Sequence, residues 1–245
     1  MNAGAQYIDG IATLVGELKA KESGNLSQAA LLIVDAIEAG RTLHVFGTGH
    51  SHMLAEELFY RAGGLACVNP ILEEGLMLHR NAVQSTELER LEGLASVLLK
   101  QQSPKVGDVI IIASNSGRNA ANIEMALSAK ASGLKVIAIT SLNHANASSS
   151  RHSSGKRLHE VSDVVIDNQG CIGDAAVEIA GLPIKVSPTS TVLGACIVNA
   201  IVAEVVELLL HRGMMPDLFA SSNMDGGDAH NRRLIDRYKG VVRSL

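Results

Sequence analysis

Two stretches, "DVIIIA" (108–113) and "LKVIAIT" (134–140), are continuously apolar and rich in β-branched residues. A strand with one wet face would show a polar residue at every second position, so runs of this kind predict strands covered on both sides. Three shorter runs, "TLHVF", "LACVN" and "SDVVID", have related character, and helical segments stand between them: "AEELFYRA", "TELERLEGLASVLLK" and "NAANIEMALSAKASG", the last stopped by Gly133. Strand and helix alternating in this way predict right-handed crossovers and a five-stranded parallel sheet with helices on both faces. The 245 residues, 47% of them hydrophobic, suffice for one large core. The chain reads as one α/β domain over 1–245: helices over 1–40, an α/β core over 41–210 and a tail over 211–245.

Two segments of the first forty residues have helical spacing. In the second, Asn25 followed by Gln28 resembles a capping box and Gly40 is a plausible stop. The apolar stretch "STVLGACIVNAIVAEVVELLL" is interrupted by Asn199, Glu204 and Glu207 and reads as a buried helix, not a membrane span. The serine-rich 141–163 segment reads as a long excursion between the fourth and fifth strands, of a length that is usually functional or mobile.

Composition excludes several partners. A net charge of −4 leaves no basic footprint for nucleic acid, and 2% aromatic residues leave no platform for stacking bases. Cys67, Cys171 and Cys196 are scattered without CxxC spacing, as thiols of a reducing compartment are. The start lacks the basic and apolar regions of a signal peptide, so a cytoplasmic location without membrane contact is expected.

The turn "HVFGTGHSH" (44–52) admits three readings. A dinucleotide fingerprint needs a third glycine and an acidic residue ending the second strand, but His52 and Asn69-Pro70 stand there. A metal site needs ligands on one face, yet His50 and His52 diverge on a helical turn and no Cys/His cluster joins them. An anion is left. Gly49 and Ser51 form a strand-to-helix turn, and Ser114, Ser116, Gly117 and Asn119 in "SNSGRN" form a second. Thr189, Ser190 and Thr191 lead into the long apolar helix as a third. Backbone N–H groups at such helix starts are unpaired, hydroxyls add donors, and glycine lets the backbone approach closely. An ordinary helix cap is the competing reading of any one turn. Three of them favour a site for phosphate, with no metal and no cofactor.

"GTGHS" followed by "SNSGRN…AKASGLKVIAITS" resembles the sugar isomerase (SIS) domain family, over roughly residues 30 to 210. The resemblance implies a flavodoxin-like three-layer sandwich that binds a phosphorylated sugar as a homodimer or homotetramer with composite sites. It places Ser51, Ser114 and Ser116 around the phosphate. Asn119 stands where threonine is common and Arg118 where glutamate is common. "PTST" (188–191) and "SSNMDGGDAHNRRL" are similar to the arabinose-5-phosphate isomerase branch, whose regulatory domains find no counterpart. Taken whole, the chain resembles the single-domain group labelled phosphoheptose isomerases. "RHSSGKR" (151–157) matches nothing in these patterns.

Aldose–ketose interconversion requires one group to move a proton between C1 and C2 and another to open the ring or polarise the carbonyl. Glu73, Glu74 and His79 in "NPILEEGLMLHRN" are the candidates, on the segment that carries the catalytic Glu or His in similar isomerases. A solvated helix start and a packed histidine are the competing readings. His230 in "GGDAHNRR" is a further candidate for a neighbouring subunit's site, or belongs to a surface tail. Arg151, His152 and Lys156 are positioned to close over an anion, or form a solvated loop. The expected function is therefore a metal-independent phosphosugar isomerase. The alternatives are a lyase acting on a lactyl ether of N-acetylmuramic acid 6-phosphate type and a non-catalytic phosphosugar sensor.

Overall fold

The first helix is a single rod. In a computed structural model that describes residues 2–245, α1 runs Ala3–Glu38. The cap expected at Asn25 does not form, because its carboxamide donates to Glu22 Oε2 at 2.8 Å inside the helix. Buried Glu22 in turn accepts the Asp167 N–H at 3.3 Å, tying the rod to the sheet. Gly40 does end the helix. Its φ of +66° lets its N–H reach the Ile37 carbonyl, while the Arg41 N–H reaches that of Ala36.

Five parallel strands follow: β1 Leu43–Gly47, β2 Val68–Ile71, β3 Val109–Ala113, β4 Lys135–Thr140 and β5 Val164–Asp167, in the order β2-β1-β3-β4-β5. The helices are α2 Met53–Leu58, α3 Ala82–Leu88, α4 Leu94–Gln101, α5 Ala120–Ala131, α6 Leu142–Asn146, α7 Leu158–Val161, α8 Ser190–His211 and α9 Gly227–Tyr238. Alternate residues of each strand serve opposite layers. Leu43, Val45, Val109, Ile111, Ile137 and Ile139 pack on α1, α2 and α8. Phe46, Ile110, Ile112, Val136 and Ala138 pack on α4, α5 and Leu158 of α7. The result is the expected three-layer α/β sandwich.

Three parts differ from expectation. "TELERLEGLASVLLK" is two helices, because Gly93 takes φ +93° and Glu124 caps α4 by accepting the Gly93 and Ala95 N–H groups. Residues 171–188 hold an antiparallel hairpin, β6 Ala175–Val177 and β7 Val186–Pro188. The 211–245 segment is folded: α9 buries Leu234 against Ala66 and Phe219. Apolar α8 lies along α1 and the sheet, as a core helix does.

At the amino ends of the strands lies a buried polar network. Asp108 accepts the Thr42 N–H (2.9 Å), the Lys105 N–H (2.7 Å) and His44 Nε2 (3.2 Å), and Asn69 Nδ2 donates to His44 Nδ1 (3.0 Å). The Arg243 N–H closes on Asn69 Oδ1 at 2.9 Å, anchoring the end of the tail. Burial alone would raise the Asp108 carboxyl, but its hydrogen bonds outweigh burial and hold it below its ordinary value. A group depressed on folding stabilises at neutral pH and loses that contribution as pH falls through its folded value. Asp108→Ala is therefore expected to lower unfolding free energy by about 3 kcal/mol at neutral pH, because it strands the buried donors of Thr42 and His44 as well as the Lys105 N–H. In urea melts the gap to the native chain should narrow in strong acid; a gap constant over pH would exclude the ionic contribution.

Candidate functional site

In an open α/β sheet, ligands collect where strand order reverses, at the carboxyl ends. Here that point lies between β1 and β3, paired from Leu43↔Val109 to Gly47↔Ala113. The turns that leave these two strands are therefore neighbours in space.

The first turn depends on a glycine. A Cβ at Gly47 would sit 2.5 Å from the Ser51 carbonyl oxygen, so only glycine lets the chain fold back this tightly. Gly49, at φ +55°, opens a short 3₁₀ turn through His52, and α2 follows. In the second turn the Gly117 N–H donates to Ser114 Oγ at 3.2 Å. Gly117 has φ +58°, with Thr140 Oγ1 3.2 Å from where its Cβ would be. Ser116 is half-buried within the turn. Asn119 precedes α5 without capping it; its Oδ1 accepts from Arg151 Nη1 at 2.9 Å, so the carboxamide anchors the 148–157 loop.

The third turn already holds an anion of the chain itself. Asp174, from the loop between β5 and β6, accepts the N–H groups of Thr189 (3.1 Å) and Ser190 (2.9 Å) and the Ser190 hydroxyl (2.5 Å). Its carboxylate occupies the positive end of α8. Thr189 is buried in this role and is absent from the cleft walls, while Ser190 reaches them.

Ser51, Ser114, Asn115, Asn168, Ser190 and Thr191 converge on one cleft. Its enclosed space is about 20 Å³, room for about one water. A ligand can seat only an oxygen or two there, with its body over the mouth. No hydrogen bond occupies the Ser51 hydroxyl among the described residues. Asn168 Nδ2 donates to Asn115 Oδ1 at 2.9 Å, bracing two of the walls. A larger cavity of about 410 Å³ lies at the opposite end, lined by Thr42, Lys105 and Arg243 among others. Its floor is the His44–Asp108 pair, whose polar atoms already satisfy one another.

The expected proton-moving residues are not brought into the cleft walls. Glu73 Oε1 accepts its neighbour's Gly75 N–H at 3.3 Å, and Glu74 and His79 are exposed on the same segment after β2. His230 Nε2 lies 2.8 Å from the Leu218 carbonyl oxygen, on a helix packed against the stretch that enters β2 at the far end of the strands.

Two features beside the strand-end turns, the pairing of His52 with Glu56 and the burial of His144, have no part in the sequence reading. His52 directly follows Ser51, and its Nε2 lies 3.7 Å from Oε2 of Glu56, one turn further on, a carboxylate half open to solvent. On α6, His144 has a buried Nδ1 with no partner. Burial pushes that imidazole below the usual histidine range; Asp174 opposes the push and Arg118 adds to it. Position directly after β4 was the available signal for His144.

A family model for the SIS domain matches residues 6–141. A UPF0309 protein of Thermoanaerobacter pseudethanolicus is 48% identical over 244 residues, covering 98% of this chain and 99% of its own. Among solved structures, the phosphoheptose isomerase of Neisseria gonorrhoeae superposes with a TM-score of 0.57 at 16% identity, over 83% of this chain and 96% of that one. The sugar isomerase domain of an RpiR transcription factor from Sphaerobacter thermophilus gives 0.52 at 15%, over 96% and 98%. At such identities the likeness is one of fold.

Gly47→Ala is expected to cost about 2 kcal/mol or more in urea unfolding, since the clash is with backbone that cannot move aside. Asp174→Ala should cost about 1–2 kcal/mol by uncapping α8; an unchanged midpoint would mean that water satisfies those N–H groups equally well.

Proposed function

We propose, from the premise that this chain belongs to the SIS domain family and to its UPF0309 group, that the cleft binds the phosphate of a phosphorylated sugar. The observation that carries this reading is the convergence of Ser51, Ser114 and Ser190 at the point of strand reversal. Backbone N–H groups, hydroxyls and glycine-permitted close approach suit a phosphate oxygen without a metal ion. Phosphate held there supplies binding energy remote from the reacting carbon, where it can orient the sugar.

The reaction we propose is metal-independent aldose–ketose isomerisation in the cytoplasm by a homo-oligomer. A base removes the C2 proton of the open-chain aldose and returns it to C1, while a second group shuttles the proton between the two oxygens. Glu73, Glu74 or His79 would have to reach the sugar from the segment after β2, and His230 would enter from a second copy. The His52–Glu56 pair is an additional candidate, since it follows directly on a phosphate turn. A second reading, a non-catalytic phosphosugar sensor, draws support from the absence of any acid or imidazole other than His50 among the cleft walls.

Thermal melts against pentose, hexose and heptulose phosphates, each beside its unphosphorylated sugar, separate the possibilities. At a ligand concentration 100 times Kd, stabilisation of about 2.7 kcal/mol is expected for phosphorylated sugars alone. Ser51→Ala should weaken the affinity about tenfold, which at the same concentration leaves about 1.4 kcal/mol of stabilisation. Conversion of aldose to ketose in the presence of EDTA, lost in Glu73→Gln, Glu56→Gln or His79→Asn with binding retained, supports the isomerase. Binding without turnover supports the sensor, and no shift with any phosphorylated sugar overturns the site.

A further inference from the structure

The "RHSSGKR" segment has a place in the structure that the function above does not use. Residues 148–157 fold over the "SNSGRN" turn and are fastened to it. The Arg151 N–H donates to the Arg118 carbonyl at 2.8 Å, and Arg118 Nε donates to the Ser149 carbonyl at 2.9 Å. On the other side the Ser153 N–H and hydroxyl donate to Glu92 at 2.6 and 2.7 Å. These bonds bring the Arg118 and Arg151 guanidinium groups to the same turn, with Arg90 close enough to act on Arg151.

No salt bridge holds these cations. None of the ion pairs among the described residues involves Arg90, Arg118 or Arg151. The guanidinium hydrogen bonds of Arg118 and Arg151 run to neutral oxygens, those of Ser149 and Asn119. The nearby acids make their hydrogen bonds elsewhere, Glu89 to the Thr48 hydroxyl at 2.8 Å and Glu92 to Ser153, so they act on the arginines only through space. Burial and the two neighbouring arginines push Arg151 below its ordinary pKa, against the pull of Glu89. Glu89 offsets this only in part and makes no direct contact, so the gathered cations still repel, and an anion between them relieves that repulsion. Guanidinium forks are also suited to planar, two-pronged recognition of carboxylate or phosphate.

We infer that Arg118 and Arg151, backed by Arg90, form a second anion subsite beside the phosphate cleft, so that the ligand is a phosphosugar carrying a second anionic group. This rests on the phosphosugar reading and extends it. The cleft seats one phosphate; the arginines receive a carboxylate or a second phosphate on the sugar body that lies over the mouth.

Calorimetric titration with three probes tests it: glucose 6-phosphate with one anionic group, 6-phosphogluconate with an added carboxylate, and fructose 1,6-bisphosphate with an added phosphate. The expected result is at least tenfold tighter binding of one or both doubly anionic probes, the preferred one naming the second group. Arg151→Ala, and separately Arg118→Lys, should remove that advantage and leave glucose 6-phosphate affinity within about twofold. Thermal melts of both variants check that the loop remains folded. Equal affinity for all three probes overturns the subsite while leaving the phosphosugar reading intact. Equal weakening of all three by Arg151→Ala also overturns it, by assigning the arginines to the single phosphate. Binding of none of them to the native chain overturns both readings.

Discussion

The parallel pairing of β1 with β3 is the constraint on which the rest depends. Their register sets Gly47 beside Ala113, so two turns separated by more than sixty residues of chain leave the sheet side by side. Both strands are buried on both faces, which fixes the register: a slip by one residue would send Phe46 and Ile110 into the wrong layer. The serines that follow inherit this precision. A cleft small enough to grip one or two oxygen atoms needs walls placed by a rigid sheet, and loops alone would not supply them.

Around that frame the chain manages charge with its own groups. Asp174 takes the positive end of α8, so the electrostatic attraction of that helix is already partly answered before a ligand arrives. The cationic side of the cleft lies across the "SNSGRN" turn, where Arg118 and Arg151 face no carboxylate at ion-pair distance. For the doubly anionic ligand proposed above, the arginine side would attract, while the Asp174 side would offer hydroxyls and repulsion, and this asymmetry would orient the ligand.

Much of the fold was legible because it is written locally. Continuous apolar runs predicted β3 and β4 to within a residue, and "NAANIEMALSAKASG" predicted α5. The strand-end serines and glycines were legible as tight turns because only a few residue types can turn a chain that tightly and still offer donors. Misreadings arose where distant groups intervened. Asn25 looked like a cap until Glu22, held by the end of β5, claimed it. The break at Gly93 depends on Glu124 from another helix. The β6–β7 hairpin has short, half-buried strands with little alternation to betray them.

By itself the sequence determined the alternation of strand and helix, the burial of the central strands on both faces and the chemistry available at each turn, because period and residue type are local properties. Tertiary structure alone decided that Ser51, Ser114 and Ser190 share a cleft, that Thr189 belongs to Asp174, and that Asn119 Oδ1 anchors Arg151. It also decided that Glu73, Glu74 and His79 stand outside the cleft walls. Hydrogen bonds between residues far apart in the chain exist only once the sheet has set its strand order, and no local pattern encodes which donor reaches an acceptor first.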